Sequence, residues 1–340
     1  MDTHQLLDML PQAAFLVRDG HIAYVNPTAA GYLLEAGASI EDLLYTGREE
    51  YLTLEEGSLY LQLQLGAALI GATVTRREAD FLFLLESQED PALQALSLAA
   101  AELRAPLSGA MYAAEQLPAG SPEAARMQRS LHQLLRRIGN MADAARYAQN
   151  PAGTPEVRNI CGVLDEIFEK AASLAAMAGI TLTYHGLSQS LLCPVDAERL
   201  ERAIYNLIAN AVRFSEPGAA IEASLQHRGK RLSLTIRDGG SGIPAALQHS
   251  LYSRYQRQPG FEDPRHGIGL GMLLVRAAAT AHGGTVLTQT SGEGTKVTLT
   301  FSLAAPSGRL RSPVFRVDYA GNRDHALVEL SDILPPEAYL

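Results

Sequence analysis

Two asparagines and an arginine recur at helical spacing in the C-terminal half of the chain. Between Leu200 and Gly218, the residues Asn206, Asn210 and Arg213 fall at positions i, i+4 and i+7, which share one face of an α-helix. The apolar residues of the same stretch form a separate stripe. Asparagine is a mediocre helix former, so two of them one turn apart indicate a placed polar site, with a solvated helix surface as the alternative.

Three glycine-rich clusters follow this predicted helix. In DGGSGIP, residues 238–244, Asp238 offers an acceptor at a strand end, and the glycines let the backbone approach a planar ligand closely. The cluster GIGLG, residues 267–271, opens a helix, and free amides at a helix N-terminus point at a phosphate. The third cluster, residues 292–295, precedes the last strand. Each cluster alone is typical of a turn, but their order behind the two asparagines is specific.

The composition restricts the class of protein that positions these residues. The 340 residues are 47% hydrophobic and 19% charged, which predicts two or three domains with real cores. A net charge of -9 and the lack of a basic tract argue against nucleic-acid binding. The presence of only two cysteines, Cys161 and Cys193, favours buried thiols in a reducing compartment, with a disulfide between them as the alternative. With no signal peptide and no apolar run of about 20 residues, we expect a cytoplasmic protein without a transmembrane segment.

Residues 1–88 predict a sheet with small helices. Two strands flank an Asp19–Gly20 turn, Asn26–Pro27 stops the second strand, and three further strands end near Leu85. This order resembles a PAS sensor domain, and FLVRDGHIAYVNPTAAGYLL fits the opening of that domain. No feature names a ligand, and His21 is interpreted as a hairpin residue rather than a haem ligand.

Residues 90–149 predict two helices separated by PAGSP, with a kink at Pro106. The apolar stripe of the second helix runs from Met127 to Met141, and an isolated hairpin would leave this stripe exposed to solvent. Two copies are therefore expected to pair into a four-helix bundle, which predicts a homodimer. Residues 150–156 form a linker.

Residues 157–303 predict helices on one face of a mostly antiparallel sheet, an α/β sandwich. Residues 304–340 follow as a C-terminal extension, interpreted as a β-hairpin around Gly321–Asn322. The fold class is thus a multi-domain α+β protein, with a PAS-like domain, a helical hairpin and an α/β sandwich.

From Leu200 to Thr295 the chain resembles the ATP-binding domain shared by gyrase, heat-shock chaperones, histidine kinases and mismatch-repair proteins. The order of domains, over residues 5–303, resembles a PAS-containing sensor histidine kinase of two-component signalling. The resemblance implies ATP and Mg²⁺ as cofactors. Asn210 would hold Mg²⁺ beside Asn206, Arg213 would meet phosphate where the family commonly has Lys, and Asp238 would accept from the adenine amino group. The remaining residues of the implied nucleotide site are Phe214, Gly240, Gly242, Ile243, Gly267, Gly269, Leu270, Gly271 and Thr295.

The resemblance also implies a mobile lid over Pro244–His266. Within it LYSRYQR, residues 251–257, resembles an aromatic lid box, in which Arg254 or Arg257 reaches phosphate. Asn206 stands where the ATPases of this superfamily have a Glu that activates water. An amide is no base near neutral pH, so poor ATP hydrolysis is expected.

The stretch AELRAPLSG, residues 101–109, resembles the phosphoacceptor box of histidine kinases with its central residue missing. The family's His is Ala101 here, and its usual Thr is Ala105. A methyl group cannot carry a phosphoryl group, so Glu102 remains as a vestigial base with nothing to deprotonate. His132 lacks a following acid and is interpreted as a bundle-surface histidine.

Three functions remain open from the sequence. The first is a pseudokinase that binds ATP and Mg²⁺, dimerises through the hairpin and regulates a partner kinase or response regulator. The second is an active histidine kinase that phosphorylates another chain. The third, an ATPase or chaperone-like protein, is disfavoured by Asn206.

Overall fold

The N-terminal unit is an antiparallel sheet with short helices. The computed structural model describes residues 3–32, 34–87, 91–118, 120–248, 251–252, 269–303, 320 and 323–340. The elements of this unit are α1 (Thr3–Asp8), β1 (Ala14–Arg18), β2 (His21–Val25), α2 (Arg48–Leu52), β3 (Ser58–Leu65), β4 (Ala68–Arg77) and β5 (Asp80–Leu85), with 3₁₀ turns at Pro27–Tyr32 and Ile40–Asp42. Asp19 and Gly20 have φ angles of 49° and 77°, as a tight β1–β2 hairpin requires. The expected hairpin and the three-stranded meander are both present.

A helical hairpin follows, made of α3 (Pro91–Glu115) and α4 (Pro122–Gln149). The Ser121 hydroxyl accepts a hydrogen bond from the Ala124 amide at 3.0 Å, and Pro122 opens the first turn, so α4 has a well-formed start. The helix α3 continues through Pro106. The hairpin buries Leu107, Met111, Leu131, Leu135 and Ile138 between its helices. It leaves Leu98, Leu103, Tyr112, Met127 and Leu134 exposed.

The third unit packs helices on one face of a sheet. Its elements are β6 (Glu156–Asn159), α5 (Ile160–Met177), β7 (Thr181–His185), β8 (Leu192–Val195), α6 (Ala197–Phe214), β9 (Ala220–Arg228), β10 (Arg231–Arg237), α7 (Ala245–Gln248), α8 (Gly271–Ala281), β11 (Val286–Ser291) and β12 (Gly294–Ser302). The strand order is β11-β12-β10-β9-β7, with only the β7–β9 pair parallel among these neighbours. Cys161 and Cys193 are buried free thiols in this unit. No helix in the described ranges has the length and apolar character needed to span a membrane.

The sheets of the first and third units join into one ten-stranded sheet through β3 and β11. The two strands pair antiparallel, with Tyr60 opposite Val286 and Ser58 opposite Thr288. We call this junction the seam. The buried Tyr252 hydroxyl reinforces it, because that oxygen lies 2.5 Å from Thr288 Oγ1 and 3.3 Å from the Ser58 carbonyl oxygen. The separate PAS-like and α/β units expected from the sequence therefore share a continuous sheet.

Gly57 sits at the start of the seam in a conformation that only glycine adopts easily. Its φ is +99°, and a Cβ at this position would lie 2.0 Å from the Thr288 carbonyl oxygen. Gly57→Ala is therefore expected to lower the free energy of unfolding by about 2–4 kcal/mol, from φ strain of roughly 1–2 kcal/mol and weakened seam hydrogen bonds. Urea unfolding measures the loss, and faster amide exchange over residues 286–288 places it at the seam.

Gly66→Ala is the matched control for this prediction. Gly66 also has a left-handed φ, +60°, but a Cβ there meets no atom within 4 Å. It should cost only the strain of roughly 1–2 kcal/mol and leave exchange at residues 286–288 unchanged. Equal losses from both variants would contradict a steric role for Gly57.

The C-terminal segment, residues 323–340, is helical rather than the expected hairpin. It contains α9 (His325–Glu329) and a 3₁₀ turn at Pro336–Tyr339. The Asp324 carboxylate caps α9 by accepting from the Ala326 amide at 2.9 Å. The prediction of a strand here was wrong because Ala326 and Leu330 fit a strand alternation as well as the helical spacing that continues to Leu334. The predicted hairpin turn and its first strand lie outside the described residues.

Candidate functional site

The helix α6 carries the polar face expected from the sequence. It begins after Asp196, whose carboxylate accepts from the Arg199 amide at 3.3 Å. The apolar stripe of Ile204, Leu207, Ile208 and Ala211 is buried in the core of the third unit. The opposite face presents Asn206, Asn210 and Arg213 toward α4, α8 and the C-terminal segment.

Asn206 is held tightly by the protein. It is 2% exposed, its Nδ2 donates to the Arg202 carbonyl oxygen at 2.8 Å, and its Oδ1 accepts from Arg136 Nη2 at 3.2 Å. A Cβ at Gly271 would lie 2.9 Å from Asn206 Oδ1. Gly271 therefore lets the start of α8 approach the first asparagine closely.

Asn210 lies one turn further along the same face and is more open. It is half-buried, and its Nδ2 lies 4.0 Å from Met272 Sδ in the first turn of α8. No hydrogen bond from the described part of the chain reaches its Oδ1. Among the described residues the two carboxamide oxygens therefore differ, because the Oδ1 of Asn206 accepts from Arg136.

Asp238 lies directly after β10 and organises the first glycine cluster. Its Oδ1 accepts from the Gly240 amide at 2.9 Å and from the Thr295 amide at 3.1 Å. Asp238 is 9% exposed, and burial raises the pKa of its carboxyl group against the opposing effect of these two amides. The third cluster therefore meets the first at this carboxylate.

Two glycines near Asp238, Gly240 and Gly242, stand where a side chain has no room, whereas a Cβ at Gly239 would meet no atom within 4 Å. A Cβ at Gly240 would lie 2.4 Å from the carbonyl oxygen of Phe214, the last residue of α6. Gly242 has a φ of +72°, and a Cβ there would lie 2.3 Å from the Ser291 carbonyl oxygen. The neighbouring Ile243 amide donates to Thr290 Oγ1 at 2.6 Å. These close approaches bring the end of α6, the Asp238 loop and the end of β11 together.

The second glycine cluster lies partly inside the described residues. Gly269 has a φ of +80°, Leu270 is buried at the N-cap of α8, and Gly271 begins that helix. Gly267, Arg254, Arg257 and most of the expected lid lie outside the described residues. Tyr252, from the expected aromatic box, is fully buried and bonds to the seam.

Arg213 contacts a carboxylate of the protein itself. Its Nη2 lies 2.8 Å from Asp332 Oδ2 in the C-terminal segment. The same oxygen accepts from Arg136 Nη1 at 2.6 Å, so two guanidinium groups share it. Burial and the nearby charge of Arg136 lower the pKa of Arg213. Sequence reasoning missed Arg136, because nothing in the α4 pattern distinguishes it from the adjacent Arg137.

The expected acceptor positions are exposed on α3. Ala101, Glu102 and Ala105 all face solvent in this chain. His132 is 8% exposed, its Nδ1 lies 2.8 Å from the Gln128 carbonyl oxygen, and its ring packs 4.9 Å from that of Tyr339. The interpretation of His132 as a surface residue was wrong, because the C-terminal segment covers it. Burial also lowers the pKa of this imidazole.

Comparisons with known proteins relate the part of the chain that contains α6, the Asp238 loop and α8 to the ATP-binding domain that its sequence resembles. Residues 195–305 match the family of histidine kinase-, DNA gyrase B- and HSP90-like ATPases. The sensor protein KdpD of Mycobacterium tuberculosis (strain CDC 1551 / Oshkosh) is 31% identical over 232 residues, which are 63% of this chain and 26% of KdpD. An adaptive-response sensory kinase SasA of Prochlorococcus marinus is 25% identical over 216 residues, 62% of this chain and 56% of SasA. The chain thus matches about a quarter to a little over half of these relatives.

Among solved structures, full-length ShkA in complex with AMPPNP has a TM-score of 0.50 and 21% identity. The match covers 62% of this chain and 46% of ShkA, and it shows a shared fold. The family match includes α6, the Asp238 loop and α8, which are the elements that carry the candidate site. Residues 195–305 therefore match the ATPase family of the histidine kinase, gyrase B and HSP90 type, and the relatives that resemble the chain over a longer span are sensor kinases.

Proposed function

We propose that this chain is an ATP-binding signalling protein of the two-component type that cannot phosphorylate itself at the usual position. The observation that carries the proposal is the convergence of three elements within the family-matched segment. The Asn210 face of α6, the glycine start of α8 and the Asp238 loop are joined by close contacts at Gly240 and Gly271.

Asp238 is proposed to recognise adenine. Its Oδ1 is engaged by two backbone amides, which fixes the carboxylate and leaves Oδ2 to accept from the adenine amino group. The same loop is adjoined by Phe214, Ile243 and Thr295. Gly240 and Gly242 add no side chain to it, so a base can approach the backbone closely. A buried acceptor with one fixed oxygen gives the orientation that a planar base requires.

Asn210 is proposed to hold Mg²⁺ through its carboxamide oxygen. Mg²⁺ prefers oxygen ligands and keeps several waters, so one protein ligand is enough when phosphates supply others. The Oδ1 of Asn210, to which no described residue donates a hydrogen bond, fits that role. The ion would neutralise phosphate charge, while Gly269, Leu270 and Gly271 would present the amides of the α8 start to phosphate oxygens. Gly267, Arg254 and Arg257 belong to the same proposal from the sequence alone.

ATP hydrolysis is expected to be slow. Both polar atoms of Asn206 are bound to protein groups, and a carboxamide does not accept a proton from water near neutral pH. The position therefore offers neither a base nor a free acceptor for an attacking water. This argues against the ATPase or chaperone-like alternative.

Self-phosphorylation at the usual position is excluded by chemistry. Ala101 has no nucleophile, so the adjacent exposed Glu102 has no proton to remove. His132 is no substitute, because the C-terminal segment covers it. The signal would instead be transmitted through the binding of nucleotide and partner and through the conformation of the chain.

The proposed organisation follows the sequence divisions. Residues 1–88 act as a PAS-like sensor, residues 90–149 pair two copies in a four-helix bundle, and residues 157–303 bind nucleotide. Residues 150–156 serve as the linker. The exposed Leu98, Tyr112 and Met127 on the hairpin support pairing with a second copy. The proposed setting is the cytoplasm, and the proposed partner is a kinase or a response regulator.

A second candidate is an active kinase that phosphorylates another chain. The observation that favours it is the Asn210 oxygen, to which no described residue donates a hydrogen bond, next to the three glycine clusters of the sequence. A protein that only binds partners does not require such a set of residues. The two candidates differ in one measurable result, which is transfer of the ATP γ-phosphate to a separate protein.

The test uses the full chain with Mg²⁺ and ATP carrying a radioactive γ-phosphate. Titration calorimetry should show saturable ATP binding that falls at least about tenfold in Asn210→Ala, because a metal-ligand oxygen is lost. No acid-labile label should appear on the chain. Label on the unaltered protein would overturn the proposed lack of self-phosphorylation.

Ala101→His supplies the matched gain-of-function control. If the nucleotide site is catalytically competent, this variant acquires acid-labile label and the double variant with Asn210→Ala does not. Asn210-dependent labelling of an added partner kinase that lacks its own ATP site would favour the second candidate. Loss of ATP binding in every form would overturn both.

A further inference from the structure

Residues 323–340 of the C-terminal segment lie against the polar face of α6. Asp332 Oδ2 is 2.6 Å from Arg136 Nη1 and 2.8 Å from Arg213 Nη2. Both arginines are largely buried, since their side chains are 6% and 14% exposed. Two desolvated guanidinium groups on one oxygen make a strong site for an anion, and in this structure the anion is a carboxylate.

The anion site is continuous with the first asparagine of α6. Arg136 donates to Asp332 through Nη1 and to Asn206 Oδ1 through Nη2. One guanidinium therefore links the C-terminal segment to the polar face that the ATPase family match includes. Arg213 lies on that face two turns beyond Asn206.

The segment is held in register by contacts to α4. Arg129 Nη2 donates to the Asp332 carbonyl oxygen at 3.3 Å, and Gln133 Nε2 donates to the Ser331 carbonyl oxygen at 3.2 Å. Glu329, one turn earlier, contacts Arg136 Nε at 3.4 Å. The hydrogen bonds to the Ser331 and Asp332 carbonyl oxygens fix the backbone next to the carboxylate. The fold therefore holds the Asp332 side chain against the two arginines.

We propose that Arg136 and Arg213 form a phosphate-binding site for the nucleotide, and that Asp332 occupies it as an internal substitute. A carboxylate and a phosphate offer guanidinium groups the same oxygen acceptors and the same sign of charge. Nucleotide phosphates and the C-terminal segment then compete for one pair of arginines. The inference rests on the proposed nucleotide site and adds to it a residue from the helical hairpin and a built-in competitor.

The test compares ATP binding by the full chain and by Asp332→Asn, measured by titration calorimetry with Mg²⁺. Asparagine keeps the size of the side chain and removes its charge. The variant should bind ATP about tenfold more tightly or better, because an internal competitor acts at an effective concentration in the millimolar range. Thermal unfolding confirms that the variant is folded.

Glu337→Gln is the matched control, because Glu337 is an exposed acid on the same segment. It should leave ATP affinity within about twofold of the unaltered chain. The arginine is tested in the Asp332→Asn background, where Arg136→Gln should abolish the gain and Arg137→Gln at the exposed neighbour should keep it. Amide exchange over residues 324–334 should accelerate when ATP is added to the unaltered chain.

The outcomes separate the two proposals. If the unaltered chain binds ATP and Asp332→Asn binds it equally or more weakly, the competition is overturned and the nucleotide site stands. If Asp332→Asn gains affinity but Arg136→Gln does not reverse it, Arg136 is not a phosphate residue. If no variant binds ATP, the proposed function fails, and this inference fails with it.

Discussion

Replacing Arg202 with methionine is expected to lower the free energy of unfolding by about 3–5 kcal/mol. Arg202 is fully buried, and its Nη1 forms an ion pair with Asp143 of α4. Its Nη2 lies 3.3 Å from Glu329 Oε1 in α9 and donates to Asn140 Oδ1 at 2.5 Å. The variant takes one of two cationic partners from each carboxylate, because Arg146 still lies 2.7 Å from Asp143 and Arg136 still lies 3.4 Å from Glu329. The loss therefore includes the penalty of buried carboxylates whose charge is less well compensated.

Urea unfolding of the full chain measures this loss. The matched control is Arg158→Met, because Arg158 forms an exposed ion pair with Glu156 at 2.8 Å and should cost less than about 1 kcal/mol. Adding Glu329→Gln to Arg202→Met should recover part of the loss by removing a buried charge that has lost one of its two cationic partners. Equal stability of Arg202→Met and the unaltered protein would show that the buried network contributes nothing to the docking of α4, α6 and α9.

Asp238→Asn is expected to weaken ATP binding roughly 100-fold, equal to the loss of one hydrogen bond to a charged acceptor and the gain of an opposed donor. Asparagine retains an Oδ1 that can accept from the Gly240 and Thr295 amides, so the loop keeps its shape. Its Nδ2, however, would face the adenine amino group, and two donors repel.

The readout for this variant is the ratio of ATP to GTP affinity. Guanine carries a carbonyl oxygen where adenine carries the amino group, so the asparagine Nδ2 can donate to it, and the preference should move toward GTP. Glu222→Gln, at an exposed acid on the neighbouring β9, is the control and should leave the ratio unchanged. An unaltered ratio in Asp238→Asn would remove Asp238 from base recognition.

The parts of the site that lie on single local elements were predictable from the sequence. The helix of Asn206, Asn210 and Arg213 is indicated by its apolar period, and Asp238 by its place at a strand end before the glycine-rich cluster DGGSGIP. Local patterns of this kind depend on a few neighbouring residues. The same holds for the Asp19–Gly20 turn of the N-terminal hairpin.

The parts that the sequence did not predict depend on residues far apart in the chain. Arg136 meets Asn206 across 70 positions, and Asp332 meets Arg213 across 119. The seam joins Ser58 to Thr288 without any pairing signal in either strand. The prediction of a strand at His325–Glu329 was wrong because five residues are too few to distinguish the two-residue period of a strand from the 3.6-residue period of a helix.

The seam has a consequence for how the chain can be divided. Strand β11 pairs with β3 through residues 286–288, and its Thr290 hydroxyl bonds the Ile243 amide beside the Asp238 loop. Cutting the chain before residue 157 would leave one side of β11 without its partner strand, and an unpaired strand edge favours association with another chain. The N-terminal unit thus covers the β11 edge of the sheet. Removing it should yield a fragment that self-associates rather than a stable independent domain.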